Sequence, residues 1–118
     1  LTNASEMVVL FRWDGITDLV GDADYLFYGS TTLNAMDKTG VTVGGSTYLP
    51  ETSVNSQLPA LAPGSGSSLG RCDIAETTET PAGSNGIAGH DESSEDLAFA
   101  FRVGPPTPGI GPPPATCP

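Results

Sequence analysis

The chain is poor in positive charge. Four basic residues, Arg12, Lys38, Arg71 and Arg102, stand against fourteen acidic ones in 118 residues, a net charge of −10 at neutral pH. A field of that sign repels phosphate backbones and anionic headgroups, which excludes nucleic acid and membrane surfaces as expected partners and leaves cations and basic protein patches. No apolar run reaches the roughly 18 residues that a membrane-spanning helix needs, so no insertion into a bilayer is expected. The sequence opens at Leu1 without Met, a basic n-region or an apolar h-region, and therefore reads as a mature or trimmed product whose export signal, if any, is gone.

Histidine and cysteine are almost absent. His90, between Gly89 and Asp91, is the single imidazole. Ser93 and Ser94 beside it lie in no nucleophile elbow and have no indicated oxyanion donor, so His90 is read as a solvated loop residue. Gly64-Ser65-Gly66 precedes no helical pattern, which removes phosphate-loop and dinucleotide readings. Nearly every carboxylate lies in or beside a turn, where it stays solvated instead of forming a tuned acid–base pair. No enzymatic activity and no organic cofactor are expected. The two cysteines, Cys72 and Cys117, have 44 residues between them and lie in no metal-ligand spacing. They are expected to form one structural disulfide in an oxidising compartment, the alternative being two unrelated thiols. Closing such a loop adds about 3 to 4 kcal/mol on the chain-entropy estimate.

What the chain has in quantity is turn-formers, 15 Gly and 11 Pro, which favours many short strands over helices. Glu6 to Trp13 alternates, with Met7, Val9, Phe11 and Trp13 on one face. Asp14-Gly15 is a strong hairpin signal, and a second strand is expected over Ile16 to Val20. Gly21-Asp22 reads as a break before a third run, Ala23 to Tyr28. Val41 to Val43 is a short β-branched strand ended by Gly44-Gly45, Pro50 to Gln57 has room for one helical turn, and Leu58 to Ser68 is a loop. Leu69 to Asp73 is a short strand carrying Cys72. Asp73 to Asp96 reads as a long, acidic surface loop. Leu97 to Val103 alternates again, which predicts a last strand with Leu97, Phe99 and Phe101 in the core and Ala98, Ala100 and Arg102 outward. Residues 104–118 hold seven prolines and form a tail that cannot pair inside a sheet. The aromatics Phe11, Trp13, Tyr25, Phe27, Phe99 and Phe101 fall at alternating positions and are assigned to the core. The Asn3-Ala4-Ser5 sequon decides nothing by itself.

Two acidic groups, Asp22 with Asp24 and Asp91 to Asp96, have the donor chemistry of hard-cation loops, so Asp22, Asp24, Asp91 and Asp96 are the candidate ligands for calcium. Tyr25 and Leu26 stand where an EF-hand would need further oxygens, and the alternative is a solvated charge cluster that favours solubility.

Several segments together resemble the bacterial lamin-tail domains. These are Thr17 to Gly29 as a strand-turn-strand, Ser68-Leu69-Gly70-Arg71 as a short strand, and the acidic turn Asp91 to Asp96 followed by Leu97 to Arg102 and Pro106-Thr107-Pro108-Gly109. Met36 to Val41 with Tyr48 to Thr52 is similar to an insert of some secreted members. The resemblance covers residues 6–109 and implies an all-β, immunoglobulin-like sandwich over residues 1–103 followed by the tail at 104–118. It lacks the family's opening strands, so either the chain is a fragment or another polypeptide supplies them. The resemblance implies a domain that accompanies secreted enzymes and surface proteins and binds or assembles more than it catalyses. The expected role is a non-catalytic structural or interaction module, secreted or at the cell surface. It would assemble into a homo-oligomer, filament or surface layer, or bind a surface partner, with Leu1, Thr2, Asn3, Ala4 and Ser5 as the donated arm. The alternatives are an accessory surface-binding domain clipped from a larger secreted hydrolase and a calcium-dependent binding module.

Overall fold

A computed structural model of the chain describes residues 1–16, 20–30 and 35–109. The alternating run at the start forms β1 (Glu6–Arg12), which pairs antiparallel with β2 (Gly21–Tyr28). Glu6 lies opposite Tyr28 and Leu10 opposite Asp24, after which the register shifts so that Phe11 faces Asp22 and Ala23 is the extra residue. Up to Val9 the period holds, with Met7 and Val9 packed on the core and Val8 and Leu10 outside. A bulge adds local twist and carries the strand end off the core. Phe11, expected inside, is accordingly 48% exposed.

Asp14-Gly15 does turn the chain: Gly15 has a φ of 79° and Asp14 Oδ1 accepts from the Ile16 N–H at 2.9 Å. The strand expected over Ile16 to Val20 is not formed by its described residues, since Ile16 is exposed and Val20 is buried without strand pairing; Thr17 to Leu19 lie outside the described residues. Gly21-Asp22, expected to interrupt, instead opens β2. A carboxylate can sit inside a strand when it has buried partners, and Asp22 has them.

The second edge of β2 is covered. Asp22 N–H donates to Asn85 O at 3.0 Å, Gly29 N–H to Ala60 O at 3.0 Å, and Ala60 N–H to Phe27 O at 2.9 Å. Tyr25, Phe27 and Tyr28 thereby meet Ala60 and Leu97 in the apolar core, with Met7, Val9, Leu26, Ala35, Leu69 and Phe101 around it. Gly29 closes β2 at a φ of 86°, and a Cβ there would overlap the Ala4–Ser5 backbone, so only glycine fits.

A small hairpin, β3 (Thr42–Val43) and β4 (Ser46–Thr47), turns through Gly44 and Gly45, both at positive φ. One 3₁₀ turn, Val54–Ser56, occupies the stretch expected to hold a helical turn. β5 (Ser68–Arg71) pairs antiparallel with β6 (Phe101–Gly104), so the strand carrying Cys72 ends one residue before it.

Two expectations fail between these strands. Leu97 to Val103 is not one strand: α1 (Leu97–Ala100) comes first, because Asp96 caps it by accepting from the Phe99 N–H at 3.1 Å. Helical spacing then buries Leu97 (1% exposed) together with Ala100 (0%), which had been placed outside, and leaves Phe99 and Phe101 only half-buried. Nor is Asp73 to Asp96 a solvated loop. It makes two 3₁₀ turns, Ile87–Gly89 and Glu92–Ser94, and it buries Asp73, Asn85, Asp91, Glu92, Ser93 and Glu95. The described residues thus form a β-rich fold of three two-stranded sheets with little helix. Of the tail, Pro105 to Gly109 is exposed and residues 110–118 lie outside the described residues.

Candidate functional site

The interior around the start of β2 is polar. Lys38, the single lysine of the chain, is buried there. Its turn is set by Asp37, whose Oδ1 accepts from the Thr39 N–H at 2.9 Å, and by Gly40 at positive φ. Gly40 N–H donates to Tyr48 O and Tyr48 N–H to Val41 O, which brings the Tyr48–Glu51 segment alongside. Lys38 Nζ contacts Glu51 Oε2 and lies 3.6 Å from Asp22 Oδ2, while Lys38 N–H donates to Glu51 Oε1 at 2.8 Å. Tyr48 OH donates to Asp22 Oδ1 at 2.8 Å. The Tyr25 and Tyr48 rings approach Nζ at 4.7 and 5.7 Å to their centroids. Loss of solvent raises the Asp22 carboxyl above its ordinary range, against the opposing pull of Tyr48 and Lys38. Burial likewise pushes both phenols up.

A second network surrounds Arg71 at the end of β5. Its guanidinium reaches Asp24 Oδ1 at 2.5 Å, Glu95 Oε1 and Oε2 at 2.9 and 3.1 Å, and Glu76 Oε1 at 3.5 Å, and it lies over the Phe101 ring at 4.8 Å. The fork onto Glu95 is the bidentate geometry that favours arginine over lysine. Three carboxylates thus meet one guanidinium, and Glu92 adds its charge to theirs with Glu79 nearby. The cluster relieves its excess charge by holding protons. Glu92 is pushed up to about 8, first by desolvation and then by Glu79, Glu76 and Asp24. Glu95 is pushed up to about 7 by desolvation, against the pull of Arg71. The buried Glu79 Oε1 makes no hydrogen bond, though His90 Nδ1 lies 3.1 Å away.

No protein-family model, curated protein or solved structure matches the chain.

The four carboxylates expected to hold calcium serve different ends. Asp22 belongs to the Lys38 site, and Asp96 caps α1. Asp91 is a clamp: Oδ2 accepts from Thr52 N–H and Oγ at 2.9 and 2.8 Å, and Oδ1 from Ser93 N–H and Oγ at 3.1 and 2.7 Å. Asp24 alone joins a converging set. Among the described residues that set is Asp24, Glu76 and Glu92, with one oxygen of each within 4.8 Å of the others. His90, read as solvated, is half-buried beside Glu79.

In the N-terminal arm Leu1, Asn3 and Ala4 are exposed, but Ser5 is buried, with Oγ donating to Ser30 O at 3.0 Å, and Thr2 O accepts from Tyr28 OH at 2.5 Å. Cys72 is disulfide-bonded; Cys117 lies outside the described residues. Sequence reasoning missed Lys38, Glu51, Arg71, Glu76 and Glu79. The one available signal was scarcity, since a chain with so few cations has reason to bury them where carboxylates must be neutralised.

Proposed function

We propose that the chain is a lamin-tail-like, immunoglobulin-type module of the cell exterior, without catalysis of substrates, that pairs with a second copy of itself through β1. The observation that carries this reading is the outer edge of β1. The far edge of β2 is covered by Asn85 and Ala60, whereas among the described residues no backbone bond reaches the far edge of Glu6–Arg12. An unpaired edge is a template for another strand. Val8 and Leu10 (63% exposed) form an apolar row on the outer face of that strand.

The strand is also complementary to itself. Antiparallel pairing about a two-fold axis at Val9 sets Glu6 against Arg12, Met7 against Phe11 and Val8 against Leu10, so opposite charges close both ends. A two-fold contact closes on itself, which makes a symmetric dimer the unit from which any larger layer is built. Sedimentation of the chain over a concentration series tests this and is expected to show a dimer. Glu6→Arg turns two symmetry-related charge pairs repulsive, at roughly 0.2–1 kcal/mol each, and weakens the dimer by about tenfold. Adding Arg12→Glu to it restores the dimer. A monomer at all concentrations, or no rescue by the double reversal, overturns the reading.

A second reading, a calcium-dependent module, takes its support from the convergence of Asp24, Glu76 and Glu92. Calcium would there displace the proton of Glu92, so calorimetric titration at pH 7 should show binding with proton release. Absence of binding heat at millimolar calcium rejects it.

A further inference from the structure

We propose that Lys38 and Asp22 join covalently, in an amide bond between Nζ and Cγ that the folded chain makes by itself, with Glu51 carrying the protons. The three side chains are 6, 5 and 3% exposed, so the reacting groups are shut away from water. Lys38 Nζ stands 3.6 Å from Asp22 Oδ2, an ion-pair contact that holds the amine beside the carboxyl group it would attack. The other oxygen, Oδ1, accepts the Tyr48 hydroxyl at 2.8 Å, which stabilises the charge that develops on it when the amine adds. Glu51 faces the same amine in the posture of a proton acceptor. Its Oε1 is pinned by the Lys38 backbone N–H at 2.8 Å, and its Oε2 contacts Nζ.

The dry setting also gives the reaction its direction. In water an amine and an acid persist as an ion pair, because solvation of both charges opposes condensation. Burial withdraws that solvation, and the raised Asp22 carboxyl shows the penalty at this site. An amide carries no charge and keeps a carbonyl oxygen for the Tyr48 hydroxyl.

The step balances without an oxidant or co-reactant. Glu51 takes one proton from the Lys38 ammonium, and the freed lone pair forms the N–Cγ bond. Glu51 delivers that proton to Oδ2, then relays a second from Nζ, and the Cγ–Oδ2 bond breaks with Oδ2 leaving as water. One N–H remains on the amide and Glu51 returns to carboxylate. The roles are not interchangeable in this geometry, since Glu51 already spends both oxygens on donors of Lys38 while Asp22 alone has a polarising hydroxyl.

Intact mass spectrometry of the full chain, folded and then reduced and denatured, tests the proposal. The expected mass is one water below that of the sequence, and tandem spectra of a digest should give a branched peptide joining Asp22 to Lys38. Asp22→Asn keeps the shape of the site and should lose one ammonia in place of water, whereas Asp22→Ala should lose nothing. Glu51→Gln should slow bond formation by on the order of a hundredfold or more, the scale of a general acid–base contribution. A full-mass wild-type chain after prolonged folding, a link from Lys38 to Glu51, or a water loss confined to a linear peptide would each overturn it.

Discussion

The two halves of the interior are held by different physics. Around the end of β2, Tyr25, Phe27 and Tyr28 pack with Ala60 and Leu97, and stability there follows from apolar area withdrawn from water. Around the start of β2 and the end of β5 the buried groups are Asp22, Lys38 and Glu51, and Arg71 with its carboxylates. Apolar packing degrades in proportion to the volume removed. The polar half behaves otherwise, because deleting one ion strands its partners in a place where they cannot be hydrated. The apolar half therefore holds the chain together, and the polar half fixes which loops meet.

Substitutions can break this contrast. Phe27→Ala, at a fully buried position, should cost about 3 to 5 kcal/mol by chemical denaturation, whereas Phe99→Ala, half-buried within α1, should cost less than about 2 kcal/mol. Equal losses would mean that the 97–103 segment packs as a strand after all. Arg71→Leu should cost roughly 2 to 3 kcal/mol at pH 7.5, below the full value of a broken buried pair, because Glu95 can take up a proton. The same variant should lose less at pH 5.5, and a loss independent of pH contradicts the proton-relief account.

The smallest expected effect is the most diagnostic. Glu76, Glu92 and Glu95 all hold protons more tightly when folded, so their contribution is fully present below the ordinary carboxylate range and is lost as pH rises, for Glu95 through about 7 and for Glu92 through about 8. Asp37 and Asp73, lowered by hydrogen bonds from Thr39 and Thr77, act in the opposite sense, and their share is lost only at acid pH. Between pH 5.5 and 8.5 the folded chain should thus lose stability, and Glu92→Gln should flatten that slope. An unchanged slope in the variant places the titrating group elsewhere.

Much of the apolar half was legible in the residues. The alternation of Met7 and Val9, the Tyr25–Tyr28 run and the Gly44-Gly45 turn each follow from a local rule that tertiary contacts left in force. Leu97 to Ala100 satisfied two rules at once, since Leu97 and Ala100 are also one helical turn apart, and the Asp96 cap decided between them. That signal stands in the sequence immediately before the apolar run. The polar half was not legible, because reading burial from polarity assigns a Ser, Thr and Asp-rich stretch to the surface. Asp91 and Glu95 are buried because Thr52 and Arg71 arrive from distant segments to meet them. Of the expected calcium ligands only Asp24 entered the converging set, for the same reason.

The Trp13 ring lies over Gly44 so closely that a Cβ there would fall among its ring atoms. Since the chain has one tryptophan, its indole emission reports on that single site. The same hairpin is tied through Tyr48 to the turn that carries Lys38, so lifting it wets the indole and reddens the emission. The protein carries its own optical gauge at this corner, one that reads local opening of the Lys38 pocket separately from the circular dichroism of the sheets.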